Sequence, residues 1–257
     1  MSLQACAELV RRGDPDRFLA AMAAPPPARA VLFPIYAFNV EVARAPWVTS
    51  EPMIAEMRLQ WWRDALEEIG KGGPVRAHEV TTPLTQVLDD AGAALLDRLI
   101  QARRWDVYKD GFEDGAHFSE YLDATAGHLT WVAARALGSQ TEGAVRDIAW
   151  ASGLANWFLA IPELEARGRM PLVDGRAAAV CDLAGQGLRR LSRADPDKPA
   201  RVALLATWRA RALLKKAQAL PASVAKGALQ KSEFQRRFSL LWHARGIRTP
   251  QGFEKLS

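Results

Sequence analysis

The clearest helical pattern in the chain is Pro52-Met-Ile-Ala-Glu-Met-Arg-Leu-Gln-Trp-Trp-Arg-Asp-Ala-Leu-Glu-Glu-Ile69. Its apolar residues recur every four positions, at Met53, Met57, Trp61 (or Trp62), Ala65 and Ile69. Because residues i and i+4 share a helix face, this spacing predicts a helix with that stripe half-buried. We expect Ser50 to cap the helix, Pro52 to lie in its first turn, and the Gly70–Gly73 segment to end it.

The same helical period runs through the rest of the chain, and strand signals are almost absent. We expect Gly138 to stop one long helix and Pro162 to kink or break another. These patterns predict one all-α domain of eight to ten helices spanning residues 1–257. The further predicted helices are about 15–24, Ala28–Val42, Pro83–Ala91, Ala93–Tyr108, Ala116–Leu137, Glu142–Ala166, Asp174–Arg193, Ala200–Ala219 and Glu233–Arg245.

Composition excludes several classes of protein. The 257 residues are 49% hydrophobic, which is too apolar for a disordered chain. Two Cys and four His argue against a disulfide scaffold or a zinc site, and the net charge of +5 is too small to indicate nucleic-acid binding. No apolar run reaches transmembrane length, and the N-terminus lacks the pattern of a signal peptide. We therefore expect a cytoplasmic protein without a nucleic-acid partner.

Several short segments, in order along the chain, resemble the squalene/phytoene synthase family of head-to-head prenyltransferases. The resemblance rests on the order and spacing of all six segments rather than on any one of them. The resemblance implies the all-α isoprenoid synthase fold, with helices around a central cavity. The segments are Asp16–Ala21, Ala30–Phe38, Leu59–Leu66, Tyr121–Gly127, Gly153–Ala155 and Arg167–Arg169.

Members of that family ionise prenyl diphosphates with Mg²⁺ held by two Asp-rich motifs, since a hard cation prefers oxygen ligands. This chain departs from both motifs. After Phe38 it places Ala43, Arg44 and Trp47 where the family has acids. Between Ala155 and Arg167 the Asp residues are missing, and the segment is about four residues shorter than the family pattern.

Arg44 is the departure with the clearest electrostatic consequence. A cation at this position repels Mg²⁺. Together with the loss of the carboxylates that would hold the metal, it removes most of the electrostatic stabilisation of a leaving pyrophosphate. We therefore predict no catalytic residues, no metal ligands and no cofactor, with Mg²⁺ required only if the chain is a transferase after all.

The amino-acid sequence leaves three functions open. The segments Arg58–Asp64 and Arg167–Leu172 resemble a branch of the family made of mitochondrial complex I assembly factors. That resemblance implies a non-catalytic assembly or scaffold role, with respiratory-complex subunits or the inner-membrane surface as partners. The alternatives are a prenyltransferase and a protein that binds an isoprenoid or another lipid.

A set of residues follows from these hypotheses as candidates for lining a cavity or binding an anion, because guanidinium groups pair with phosphate without a metal. An open cavity with arginines at its mouth would support lipid binding, whereas Trp47, Trp157 and Phe158 filling it would count against it. The candidates are Tyr36, Arg44, Arg58, Trp62, Arg63, Tyr121, Asn156, Arg167 and Arg169.

Overall fold

A computed structural model of the chain describes residues 2–49, 51–229, 239–241 and 243–244. Its described residues form helices, turns and loops, with no strand among them. The helices are α1 (Leu3–Gly13), α2 (Pro15–Ala23), α3 (Pro26–Arg44), α4 (Pro52–Gly70), α5 (Thr81–Leu84), α6 (Asp90–Arg103), α7 (Gly115–Leu122), α8 (His128–Ala136), α9 (Glu142–Ala166), α10 (Ala177–Arg193), α11 (Lys198–Ala203), α12 (Ala210–Ala219) and α13 (Ala222–Ala225).

The predicted all-α class is confirmed, although the described part of the chain contains more helices than expected. The stretch predicted as one helix from Ala116 to Leu137 is divided by a π-helical turn at Asp123–Gly127. Short 3₁₀ helices at Ala45–Trp47, Arg104–Val107 and Leu204–Thr207 follow α3, α6 and α11. Helix α1 was not predicted, and most of the predicted helix Glu233–Arg245 lies outside the described residues.

The turn chemistry explains where several helices begin and end. The Asp14 carboxylate accepts a hydrogen bond from the Arg17 backbone N–H at 3.0 Å, which caps α2. Gly138 has φ of 93° just beyond α8, a conformation that suits glycine and stops the helix as predicted. Helix α9 has the predicted bounds, but it continues through Pro162 to Ala166, so the expected break does not occur.

Helix α4 has its predicted end at Gly70 and Pro52 in its first turn. The predicted cap, Ser50, lies outside the described residues. The predicted buried stripe was wrong at its N-terminal end, because Met53 is 75% exposed and Met57 is 66% exposed. The stripe that packs inward is shifted around the helix and consists of Ala55, Leu59, Trp62, Ala65, Leu66 and Ile69.

Two hydrophobic clusters form the interior. The first joins α1, α2, α3, α4, α6 and α8, with α1 packed on α3 and α4 packed on α6. The second joins α7, α9, α10, α12 and α13, with α10 packed on both α9 and α12. Helix α8 links them because it contacts α3 and α6 as well as α9. None of the described helices is both long and apolar enough to cross a membrane.

Helix α9 lies close to the π-helical turn at Gly153. A Cβ atom added there would lie 2.7 Å from the Cβ of Ala126, a separation that real Cβ atoms do not adopt. Because both atoms are attached directly to the backbone, relief would require the helices to move apart.

We therefore expect Gly153→Ala to destabilise the protein. Overpacking costs about 1–3 kcal/mol and exceeds the gain of about 1 kcal/mol in helix propensity. Gly143→Ala is the matched control in the same helix, since a Cβ at exposed Gly143 meets nothing within 4 Å. Urea unfolding should show a lower free energy of unfolding for Gly153→Ala and an unchanged or higher one for Gly143→Ala; equal values would contradict the packing argument.

Candidate functional site

The segments that correspond to the two family motifs meet at Trp47. Trp47 ends the 3₁₀ helix after α3, and the loop after α9 carries Arg167 and Arg169. The guanidinium carbons of Arg167 and Arg169 lie 4.8 and 4.9 Å from the centre of the Trp47 ring. Cation–π attraction therefore holds the two segments together with two arginines on one ring.

Arg169 is the buried member of this group, with 8% of its surface exposed. One guanidinium nitrogen donates to the Tyr108 carbonyl at 2.6 Å and another donates to the Asp106 carbonyl. Its guanidinium also lies 5.7 Å from the ring centre of Trp105. Arg169 thus anchors the loop after α9 to the segment after α6 through two guanidinium nitrogens that donate to backbone carbonyls.

Arg44 and Arg167 are about half exposed, and each is paired with a glutamate on its own helix or at its end. Arg44 lies 3.1 Å from Glu41, and Arg167 lies 2.6 Å from Glu163. These glutamates are two of the three acids in the motif segments, the third being exposed Glu165. Both carboxylates therefore face a guanidinium.

Tyr121 forms a buried polar cluster with Asp106 and Arg103. Its hydroxyl donates to the Asp106 carboxylate at 2.8 Å and accepts a hydrogen bond from Arg103 at 3.0 Å. Arg103 also reaches Asp106 at 2.9 Å. Burial raises the pKa of Tyr121 well above its usual value, with the Arg103 charge opposing the effect. The phenol therefore stays protonated and serves as a hydrogen-bond bridge.

Aromatic side chains surround this polar group. Trp105 stacks on Phe112 with ring centres 4.1 Å apart, and both contact Tyr121 and Trp157. Phe158 is 1% exposed in the same cluster. Trp157 and Phe158 thus fill this part of the interior, which is the arrangement that counts against a long lipid cavity here.

Asn156 and Tyr36 lie near a small polar cavity, the first as a lining residue and the second in contact with the lining residue Arg17. The buried Tyr36 hydroxyl donates to the Ala203 carbonyl at 3.4 Å, and burial raises the pKa of that phenol. Asn156 lines the cavity, which has a volume of about 190 Å³. Ligand pockets usually measure about 300–1,000 Å³, so this space suits a small ion rather than an isoprenoid. The other lining residues are Asp14, Asp16, Arg17, Ser152, Ala206 and Arg209.

The charged residues of this cavity are held in ion pairs. Arg17 lies 2.5 Å from Asp14 and 5.7 Å from the Tyr36 ring centre, and Arg209 is bonded to Asp16. Sequence reasoning missed Asp14, Arg17 and Arg209 as cavity residues. The Asp14–Arg17 spacing is visible in the sequence, whereas the pairing of Asp16 with Arg209 depends on the tertiary fold.

The three candidates on α4 lie apart from these groups. Trp62 is 5% exposed and packs edge-on against Phe38 with ring centres 5.5 Å apart. Arg63 lies 2.6 Å from Asp97, and this hydrogen bond raises the pKa of Arg63. Arg58 is exposed. The nine candidates are therefore distributed over several places and do not form one site.

Potential metal ligands are also dispersed. Within the residues that the structure describes, no three His, Cys, Asp or Glu side chains are grouped so that they could hold a metal ion.

We expect Tyr121→Phe to lower the free energy of unfolding by about 1–3 kcal/mol at neutral pH, since it removes two buried hydrogen bonds. Above pH 10 the difference in free energy of unfolding between the wild type and Tyr121→Phe should shrink. The folded phenol has a raised pKa, so the wild type loses stability as its unfolded Tyr121 ionises, whereas phenylalanine does not ionise. Urea unfolding at about pH 7 and pH 11 measures both values. Tyr108→Phe, at a half-exposed ring, is the control; a difference that grows with pH would contradict the assignment.

The comparisons with known proteins give relatives and structural neighbours. Complex I assembly factor 6 of Homo sapiens is 24% identical over 212 residues, covering 76% of this chain and 59% of that protein. Its Drosophila melanogaster homologue is 27% identical over 202 residues, covering 75% and 59%. The Bos taurus protein is 25% identical over 181 residues, covering 64% and 51%. The chain thus matches between half and three fifths of the length of these relatives.

Two solved structures share the fold. A dehydrosqualene synthase in complex with a ligand aligns with a TM-score of 0.72 at 14% identity, covering 95% of each chain. The squalene synthase HpnC from Alicyclobacillus acidocaldarius aligns with a TM-score of 0.59 at 17% identity, covering 96% of this chain and 92% of that one. The isoprenoid synthase fold is thereby confirmed. The squalene/phytoene synthase profile matches residues 10–244, and the chain belongs to that family.

Proposed function

We propose that this chain is a non-catalytic member of its family that acts as an assembly or scaffold factor for a respiratory complex, close to a membrane. The observation that carries the proposal is the pairing of the motif-segment acids with arginines, Glu41 with Arg44 and Glu163 with Arg167. The similarity to complex I assembly factor 6 proteins over about three quarters of the chain supports the same role.

The charge around the motif segments is unsuited to Mg²⁺. A magnesium site needs one or two carboxylates free to face the ion or its bound waters, because Mg²⁺ is a hard cation that prefers oxygen ligands. Here Glu41 and Glu163 face guanidinium groups, and Arg169 adds a buried cation beside Trp47. The residues present therefore do not fit the metal that the family uses.

A scaffold needs a surface for its partner, and the N-terminal end of α4 offers one. We call Trp47, Val48, Met53, Ile54 and Met57 the α4 surface; each is at least 37% exposed. Exposed apolar side chains that lie together mark interaction sites, and Trp, Met and Arg are enriched at such sites. Met side chains also adapt to the shape of a partner. We infer that this surface binds a protein subunit.

The partner surface can be tested in the native host with a tagged full-length chain. We expect the wild type to recover respiratory-complex subunits, and Met53→Lys/Met57→Lys to recover about tenfold less, because two buried charges would replace apolar contacts. Quantitative mass spectrometry of the purified material measures the ratio.

Leu3→Lys/Met22→Lys is the matched control, since it adds the same charge at two other exposed apolar residues. It should recover as much as the wild type. Recovery of isoprenoid-pathway enzymes in place of respiratory subunits, or an equal loss in both variants, would argue against the assembly role.

One alternative is a prenyltransferase, which the fold of the solved neighbours favours. We expect no pyrophosphate release above background when the purified chain is incubated with farnesyl or geranylgeranyl diphosphate and Mg²⁺. A squalene synthase under the same conditions is the positive control. Formation of a C30 or C40 product would overturn the non-catalytic assignment.

A further inference from the structure

Charge is strongly segregated along this chain. Residues 1–175 contain 17 Lys and Arg against 24 Asp and Glu, a net −7. Residues 176–228 contain 11 Lys and Arg against three Asp, a net +8. Residues 229–257 contain six Lys and Arg against two Glu, a net +4, which completes the total of +5. The modest total therefore conceals an acidic segment, residues 1–175, followed by a basic one, residues 176–228.

The basic segment folds into a pair of antiparallel helices, α10 and α12. The contacts give the direction: Arg211 donates to the Leu191 carbonyl at 2.9 Å, and a Cβ at Gly187 would lie 2.7 Å from Leu214. A Cβ at Gly185 would similarly lie 3.1 Å from Gln218. Small residues on α10 thus let the helices pack closely, which produces a broad two-helix face.

Both helices of this pair carry exposed cations. We call Arg189, Arg193, Arg211 and Lys215 the basic face; all four are exposed. Arg211 and Lys215 are four residues apart on α12, as Arg189 and Arg193 are on α10, so each pair shares a helix side. Asp182 is the sole acid in the sequences of the two helices. Asp147 on α9 neutralises part of the charge, but it faces two arginines, Arg190 and Arg193.

The chemistry of the face points to an anionic lipid surface. Single-stranded nucleic acids are usually held by aromatic stacking, and protein interfaces by aromatic anchors. In residues 176–228 Trp208 is the sole aromatic residue, and it is buried. Binding to an anionic membrane surface requires neither a pocket nor aromatic stacking. It requires only several cations within about a Debye length of the lipid headgroups.

We propose that the basic face of α10 and α12 docks this protein onto membranes rich in anionic phospholipid. The inference deepens the proposed assembly role, since it names the surface that would hold the protein near the membrane. It also orients the molecule, because the face belongs to the second hydrophobic cluster and α4 to the first.

Sedimentation of the purified full-length chain with vesicles tests this. We expect binding to vesicles of equal parts phosphatidylcholine and phosphatidylglycerol, weakening with salt, and little binding to phosphatidylcholine alone. Arg189→Gln/Lys215→Gln should weaken binding at least tenfold, since each cation near an anionic surface contributes about a fivefold factor.

Arg12→Gln/Lys71→Gln is the matched control, because it removes the same charge from exposed residues of the acidic segment. It should bind within about twofold of the wild type. An equal loss in both variants, equal binding to neutral vesicles, or a preference for duplex DNA over anionic vesicles would overturn the proposal. Since purified vesicles contain no protein partner, the outcome is separate from the recovery of respiratory subunits.

Discussion

The arrangement of the motif segments depends on the burial of one cation, Arg169. A buried charge is costly unless polar groups surround it, so its guanidinium takes the carbonyl oxygens of Asp106 and Tyr108 and lies against two indole rings. These contacts tie three separate segments together. Carbonyls and ring faces carry only partial negative charge, so the place where the segments meet stays electropositive.

Helices α3 and α9 carry the same kind of local ion pair close to this buried cation. Each motif segment places a glutamate three or four residues before an arginine on the same helix or at its end, which lets the pair close locally. A local pair of this kind contributes little to the free energy of unfolding, because the side chains of Arg44 and Arg167 are both about half exposed to solvent. Its effect lies in occupying the carboxylates, since a divalent cation would have to compete with a guanidinium that the backbone already holds nearby.

The sequence predicts helix positions better than helix faces, as α4 demonstrates. Its stop at Gly70 and its first-turn proline depend on local chemistry and were predictable. Two apolar stripes compete in α4, however, and only the neighbouring helices decide that the one containing Leu59 and Leu66 is buried. The same limit applies to the site. Arg169 was identified from its motif, but its acceptors lie 61 and 63 residues away and could not be inferred from spacing.

The separation of charge and apolar surface suits a protein that must contact two partners at once. If the apolar surface lay beside the basic face, the membrane and the partner protein would compete for the same side of the molecule. Here the exposed methionines lie on a helix of the first cluster, while the basic face belongs to the second, and no contact joins α4 to α10 or α12 among the principal helix pairs of the described residues. Electrostatic attraction acts at longer range than apolar contact, so the basic face would orient the molecule before the α4 surface is engaged.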